Sequence, residues 1–137
     1  MINGHEVGQV PIGTESDIVV ARRAVRDIAA RIGFNPTETT RIVTAASELA
    51  RNVYKYGRGG VMHWRAVRDG RVKGIELVFE DKGPGIADIA EAMREGYSTG
   101  GGLGIGLPGT KRLMDEMEIR TVVGQGTAVT VRRWQRK

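Results

Sequence analysis

Apolar residues recur three and four positions apart along two long stretches in the first half of the chain. This spacing places them on one face of a helix, so each stretch is predicted to be helical with one buried side. The first runs from Asp17 to Ile32, after N-cap chemistry from Thr14 onward, and Gly33 ends it. Its predicted buried positions are Ile18, Ala21, Val25, Ile28, Ala29 and Ile32. The second begins at Pro36 and ends at Tyr56, with Ala45, Leu49, Val53 and Tyr56 on the apolar side.

Alternation of apolar and polar positions predicts strands in the rest of the chain. Two strands, Val61 to Arg68 and Lys73 to Asp81, flank the hairpin turn Asp69-Gly70. Two more, Ile119 to Val123 and Thr127 to Trp134, flank a turn at 124–126. A further strand from Glu6 to Ile12 contains Gly8 and Pro11, which predicts a position at the edge of a sheet.

Between the two hairpins the pattern predicts a short helix from Ala87 to Arg94, a glycine-rich loop from Glu95 to Gly106 and a helix from Leu107 to Met117. Helices gathered beside hairpins favour an α+β fold. We therefore expect a two-layer sandwich in which a mostly antiparallel sheet is covered by helices on one face. Residues 1–137 are interpreted as a single domain, because 137 residues is an ordinary domain length.

Composition excludes several classes of chemistry. The chain has no cysteine, which rules out disulfides, zinc–thiolate sites and thiol catalysis. It has no long apolar run and no signal-peptide pattern, so a cytoplasmic protein without membrane contact is expected. The net charge of +5 raises nucleic acid as a partner. However, acids separate the basic residues everywhere except in the tail from Arg132 to Lys137, and aromatic residues are sparse, so no nucleic-acid binding is predicted.

Glu48 and Asn52 are the first candidates for chemistry. They lie four residues apart on the second predicted helix and therefore share a face. A carboxylate accepts a proton, and an amide oxygen is a ligand that suits Mg²⁺. Taken alone, the pair is more typical of a solvated helix surface.

Two glycine clusters follow, and neither matches a common nucleotide motif. Gly104 to Gly109 has the letters of a dinucleotide-binding turn but lacks a preceding strand, and Thr110-Lys111 stands where a P-loop requires Lys followed by Ser or Thr. Asp81, in contrast, ends a predicted buried strand and could accept a hydrogen bond from the amino group of adenine. The loop at 100–106 could present main-chain amides to phosphates. An ordinary turn and a flexible loop are the alternatives.

Taken in order, four motifs resemble the N, G1, G2 and GT boxes of the GHKL ATP-binding fold, which gyrase, histidine kinases and MutL share. The motifs are Glu48-x-x-x-Asn52, Asp81-x-Gly83-x-Gly85, Gly102-x-Gly104-x-Gly106 and Gly126-Thr127. No histidine falls on a predicted helix, which argues against a phosphoacceptor histidine, and no second domain of the gyrase type is expected. The segments around these boxes resemble the small RsbT-like serine/threonine switch kinases of the bacterial stressosome.

This resemblance implies the site residues and the partners. Glu48 would be the catalytic base, and Asn52 would bind Mg²⁺ and the ATP phosphates. The residues implied to contact ATP are Asn52, Asp81, Gly83, Gly85, Ile86, Ser98, Thr99, Gly100, Gly101, Gly102, Leu103, Gly104, Ile105, Gly106 and Thr127. The implied protein partners are a STAS-domain antagonist, its co-antagonist and a PP2C-type phosphatase. The alternatives are an anti-sigma factor and a protein in which ATP is only a structural ligand.

One feature departs from the pattern of the anti-sigma relatives, which often carry an arginine in the lid. The segment from Ser98 to Gly106 has no basic residue. Arg51, Lys111 and Arg112 are the candidate replacements for that charge, although each is also typical of a solvated helix face.

Overall fold

The computed structural model describes residues 6–86 and 107–136. In these ranges the elements are β1 (Val7–Ile12), α1 (Glu15–Ile32), α2 (Pro36–Lys55), β2 (Gly60–Asp69), β3 (Val72–Asp81), α3 (Leu107–Leu113), β4 (Glu116–Val122) and β5 (Gly126–Trp134). The predicted helix Ala87 to Arg94 and the predicted loop Glu95 to Gly106 lie outside the described residues.

The five strands form one sheet in the order β1-β2-β3-β5-β4, and every neighbouring pair is antiparallel. β1 is an edge strand, as its glycine and proline predicted. One face of the sheet carries buried apolar residues in register, including Met62, Phe79 and Val129 on adjacent strands. The buried faces of α1 and α2 pack into the same core. The fold is therefore the expected α+β sandwich with helices on one face.

α1 begins at Glu15, two residues before the predicted start, because Asp17 belongs to a capping box. The Thr14 hydroxyl accepts a hydrogen bond from Asp17 N, and the Asp17 carboxylate accepts from Thr14 N at 2.9 Å and Gly13 N at 2.8 Å. These two main-chain donors hold the pKa of Asp17 below its usual value. The six predicted buried positions of α1 are all buried, and Gly33 ends the helix in the left-handed region with φ 115°.

α2 also follows its pattern closely. Pro36 is the first residue, and the Asn35 side chain caps the helix by accepting from Glu38 N at 2.8 Å. Ala45, Leu49 and Val53 are buried as predicted, whereas Tyr56, the fourth residue of that stripe, is only half-buried. The helix ends at Lys55, one residue before the expected end at Tyr56. This end brings the chain to the tip of β3, where the candidate site lies.

The prediction for α3 was wrong at its C-terminal end. The helix stops at Leu113 rather than Met117, and β4 covers Glu116–Val122 rather than Ile119 to Val123. Asp115 already bonds to the sheet, since its N–H donates to Arg132 O at 2.9 Å and its carboxylate accepts from Trp134 N at 2.8 Å. Met114 and Met117 are three residues apart and both pack toward the core. This spacing is also typical of a helix, which is why the sequence pattern predicted that the helix continued to Met117.

A nearly buried ion pair joins the helical layer to the sheet. Arg133 lies on the inner face of β5, and its Nε donates to Glu38 Oε2 in the first turn of α2 at 2.8 Å. Its Nη1 donates to the carbonyl of Leu113, the last residue of α3, at 3.1 Å. One guanidinium therefore links β5, α2 and the end of α3.

The basic tail is largely neutralised by acidic neighbours. Arg132 bonds to Glu76 at 2.7 Å and to Glu116 at 3.0 Å on the outer face of the sheet. Arg136 pairs with Asp115, and Arg133 pairs with Glu38 as described. The cluster noted in the sequence is thus part of the scaffold, and the absence of nucleic-acid binding stays a prediction. Within residues 6–86 and 107–136, no helix is long and apolar enough to span a bilayer.

Candidate active site

A pocket lies between α2, the end of β3 and the start of β5. Its described lining combines apolar side chains with three polar ones. The lining residues are Leu49, Asn52, Val53, Phe79, Asp81, Ile86, Leu107, Thr127 and Val129. The pocket therefore has an apolar wall that suits a flat ring and a few polar groups that can orient it.

Asp81 is the half-buried acid of this pocket. Its Oδ1 accepts hydrogen bonds from Gly83 N at 2.9 Å and from Thr127 N at 3.2 Å. Burial raises the pKa of the Asp81 carboxyl, and these two main-chain donors oppose that rise. Because Oδ1 already has two donors, Oδ2 is the oxygen that remains to accept a further hydrogen bond.

Glycines surround Asp81 at distances that exclude any side chain. A Cβ at Gly57 would lie 2.5 Å from Asp81 Cβ and 2.7 Å from Oδ2, and a Cβ at Gly126 would overlap the Asp81 carbonyl oxygen. A Cβ at Gly83 would lie 2.7 Å from Gly57 Cα. Main chain rather than side chain therefore encloses the acid.

The segment after β3 is held against β4. Gly85 has φ 79°, and a Cβ there would lie 2.8 Å from the Val122 carbonyl oxygen. Ile86 N donates to Thr121 Oγ1 at 2.8 Å, and Gly124 N donates to Pro84 O at 2.8 Å. These bonds hold the Ile86 side chain at the pocket wall.

Thr121 was missed by sequence reasoning. It faces Thr127 across the β4–β5 pair, and their hydroxyl oxygens lie 3.0 Å apart. The Thr121 hydroxyl also lies 3.2 Å from the Gly126 carbonyl oxygen. The only available signal was its place in the alternation of β4, which typically indicates nothing more than a strand residue.

Asn52 and Glu48 lie one turn apart on α2, as their spacing predicted. Asn52 lines the pocket, whereas Glu48 is not among the described lining residues. Glu48 is partly exposed, and its Oε1 accepts from Arg51 Nη1 at 3.1 Å. Arg51, one of the candidates to replace the missing lid charge, is therefore engaged with the candidate base in this structure.

The structure thus brings four predicted contact residues into one pocket, namely Asn52, Asp81, Ile86 and Thr127. Gly83 and Gly85 adjoin it. Ser98, Thr99, Gly100, Gly101, Gly102, Leu103, Gly104, Ile105 and Gly106 lie outside the described residues, so their role stays a prediction. Lys111 and Arg112 are exposed on α3.

The donor set of the pocket fits an adenine nucleotide better than a protein-bound metal centre. Among the residues that the structure describes, no three His, Cys, Asp or Glu side chains cluster as metal ligands. A single amide oxygen, from Asn52, matches Mg²⁺ that is carried mainly by phosphates and water. The carboxylate of Asp81 matches an amino group on a ring.

Comparison with known proteins agrees with this geometry. The family model described as histidine kinase-like ATPase domain matches residues 13–133. A curated relative, the serine/threonine-protein kinase RsbT of Bacillus subtilis, is 49% identical over 127 residues, which are 93% of this chain and 96% of that protein. The anti-sigma F factor of Thermoanaerobacter sp. is 31% identical over 120 residues, 83% of this chain and 82% of that protein.

A solved structure extends the comparison to the fold. The structure of the RsbU and RsbW domains of a Mycobacterium tuberculosis protein superposes on 96% of this chain with a TM-score of 0.69 at 21% identity, and the match covers 33% of that longer chain. It supports the architecture alone. The family model and the identity to RsbT lead to one conclusion: the chain belongs to the histidine kinase-like ATPase domain family and, within that family, is an RsbT-like serine/threonine-protein kinase.

Proposed function

We propose that this chain is a switch kinase that transfers phosphate from ATP to serine or threonine on STAS-domain proteins. The observation that carries the proposal is the pocket in which Asp81 and Thr127 lie opposite Asn52 of α2. We further propose that residues 1–137 act as one GHKL ATP-binding kinase domain, located in the cytoplasm.

Recognition of ATP is assigned to both sides of the pocket. Asp81 Oδ2 accepts a hydrogen bond from the adenine amino group, while Gly83, Gly85 and Ile86 shape the wall beside the ring. Asn52 is the residue that would hold Mg²⁺, through its amide oxygen. Bound there, Mg²⁺ would neutralise charge on the phosphates during transfer.

Glu48 is the proposed general base. It lies one helical turn before Asn52 and is exposed enough to meet the hydroxyl of a protein substrate. The base accepts the hydroxyl proton as the oxygen bonds to the γ-phosphorus and the bond to ADP breaks. Phosphoryl transfer depends mainly on positioning and on charge stabilisation, so one base, one metal ion and a set of donors around the phosphates would suffice.

The partners follow from the family. The proposed substrates are a serine on a STAS-domain antagonist and threonines on its co-antagonist in a stressosome. After transfer, the kinase is released and activates a PP2C-type phosphatase. The 49% identity to RsbT over nearly the whole of both chains supports this assignment.

An anti-sigma factor is the second candidate, supported by the 31% identity to anti-sigma F factors. Such a protein would capture a sigma factor and phosphorylate its own antagonist. A pull-down that offers a sigma factor and a STAS-domain protein separately distinguishes the two, since the switch kinase is expected to retain only the STAS protein.

The central test is the phosphorylation of a purified STAS-domain antagonist by this protein with Mg-ATP, followed by intact mass spectrometry. We expect one phosphoryl group on a serine. Glu48→Gln should lower the rate about 10²–10⁴-fold, the usual contribution of a general base, while ATP binding persists. Glu118→Gln is the matched control, because Glu118 lies on exposed β4 and pairs only with Arg120 among its described neighbours.

Two results would contradict the proposal. Phosphorylation at the wild-type rate by Glu48→Gln would remove Glu48 as the base. No phosphorylation by the wild-type protein, with ATP binding measured separately, would favour the anti-sigma or the structural-nucleotide interpretation.

A further inference from the structure

We infer that Thr121, a residue outside the pocket lining, sets the pocket's preference for a 6-amino purine by fixing the Thr127 hydroxyl as a hydrogen-bond acceptor. Thr121 is a positioning residue in this inference, because it acts on the ligand through Thr127, which sets the preference, and through Ile86, whose amide it holds beside the pocket. The inference rests on the proposed function, since it concerns how the same pocket distinguishes ATP from other nucleotides.

The first step is the number of hydrogen bonds that a hydroxyl can make. A threonine hydroxyl donates one bond and accepts two. Thr121 Oγ1 has three partners: Ile86 N at 2.8 Å, the Gly126 carbonyl oxygen at 3.2 Å and Thr127 Oγ1 at 3.0 Å. The amide of Ile86 can only donate, and the carbonyl of Gly126 can only accept.

These two partners favour one direction for the third bond. In the arrangement that satisfies all three contacts, Thr121 accepts from Ile86 N and gives its single proton to the Gly126 carbonyl. Thr121 then has one accepting position left, and Thr127 donates to it. The Thr127 proton then points toward Thr121, and only lone pairs of Thr127 Oγ1 remain for the pocket.

The second step concerns Asp81. Its Oδ1 is occupied by Gly83 N and Thr127 N, so its Oδ2 is the oxygen left for a ligand. Asp81 and Thr127 both line the pocket. The polar end of the pocket thus offers two acceptors, which match an amino group and disfavour the carbonyl oxygen at position 6 of hypoxanthine or guanine.

Removal of the Thr121 hydroxyl should therefore alter the ligand preference. In Thr121→Val, which keeps the shape, Thr127 has no partner to receive its proton. Its hydroxyl can then rotate and donate into the pocket. A carbonyl at position 6 gains a donor, and an amino group loses an acceptor.

The test compares the affinity of Mg-ATP with that of Mg-ITP, whose base has a carbonyl in place of the amino group and a hydrogen on N1, where adenine has none. Wild-type protein should bind ATP more tightly than ITP. Thr121→Val should reduce the ratio of the two affinities about tenfold, the effect of one hydrogen bond. Thr121→Ser, which keeps the hydroxyl, should keep the wild-type ratio, and so should the control Thr130→Val on the outer face of β5.

The ratio of the ATP and ITP affinities distinguishes this inference from a purely structural role of Thr121. Equal losses of affinity for ATP and ITP in Thr121→Val, or no change in either, would overturn it. If wild-type protein did not bind ATP, the proposed function and the inference would both be overturned. Should Thr121→Val not fold, as judged by circular dichroism, Thr121→Ala serves the same measurement with the same expected change.

Discussion

Asp81 shows how binding and stability oppose each other at the scale of one residue. Burial raises the pKa of its carboxyl, which means that the folded protein holds the proton more tightly than the unfolded chain does. The ionised form therefore lowers the stability of the ligand-free protein at neutral pH, and this penalty disappears as the pH falls through the raised pKa. The same negative charge favours the hydrogen bond that the amino group of a bound adenine would donate to this carboxylate.

Asp81→Asn should separate these two effects. Asparagine can still accept through Oδ1 from Gly83 N and Thr127 N but carries no charge. We expect a free energy of unfolding at neutral pH that equals or exceeds the wild-type value, together with an ATP affinity at least about tenfold lower. Urea unfolding and titration with Mg-ATP measure the two quantities.

The matched control is Glu80→Gln, the neighbouring acid on the outer face, which pairs with His63 at 2.7 Å. It should bind ATP as the wild-type protein does. Unchanged ATP affinity in Asp81→Asn would show that Asp81 does not recognise the adenine base.

At the scale of single elements, the capping box of α1 makes a separate contribution to stability. Thr14→Ala removes the acceptor for Asp17 N and should lower the free energy of unfolding by about 1 kcal/mol, while Thr14→Ser should retain most of it. Denaturant unfolding at neutral pH measures both. Identical midpoints for Thr14→Ala and the wild-type protein would contradict this role.

The acid of the same box predicts a dependence on pH. Main-chain donors at Gly13 and Thr14 lower the pKa of Asp17, so its stabilising effect is present above the ordinary value of 3.8 and is lost as the pH falls through the lowered pKa. Asp17→Asn should be less stable than the wild-type protein at neutral pH, and the two should converge in acid. A difference that is constant over the whole pH range would contradict this.

The sequence predicts some of the secondary-structure elements and site residues better than others. The stripe of α1 and the Asn35–Pro36 start of α2 were predictable, because local spacing and capping determine them. The end of α3 was not, since its termination depends on bonds from Asp115 to β5, residues distant in sequence. Similarly, Asp81 and Asn52 were recognised as site residues because they belong to sequence motifs. Thr121 could not be recognised in this way, because its place opposite Thr127 depends on the register of β4 and β5.

At the scale of the whole molecule, the Arg133–Glu38 pair connects the two layers. Its guanidinium is almost completely buried and its acid is largely so. Loss of Arg133 leaves the Glu38 carboxylate without this partner, and loss of Glu38 leaves Arg133 with the Leu113 carbonyl and Asp115 at 3.8 Å, whereas loss of both removes most of the cost of desolvation.

A double-mutant cycle tests this connection. Arg133→Met and Glu38→Leu should each lower the free energy of unfolding by about 3 kcal/mol, and the double variant should recover a large part of the loss. Thermal and urea unfolding of the four proteins give the coupling. Simply additive losses would show that the two side chains act independently.

The glycines around Asp81 have a consequence for the reading of mutational scans. Alanine at Gly57, Gly60 or Gly126 would overlap Asp81 or the carbonyl of Glu80, regardless of whether a nucleotide is present. A mutational scan scored by growth would rank these three glycines with the catalytic and ligand-binding residues, although a glycine has no side chain that could take either role. Only variants at side chains, such as Asp81, Thr121 and Thr127, can report which nucleotide the pocket selects. Few substitutions are therefore available through which the pocket could evolve a preference for a different nucleotide.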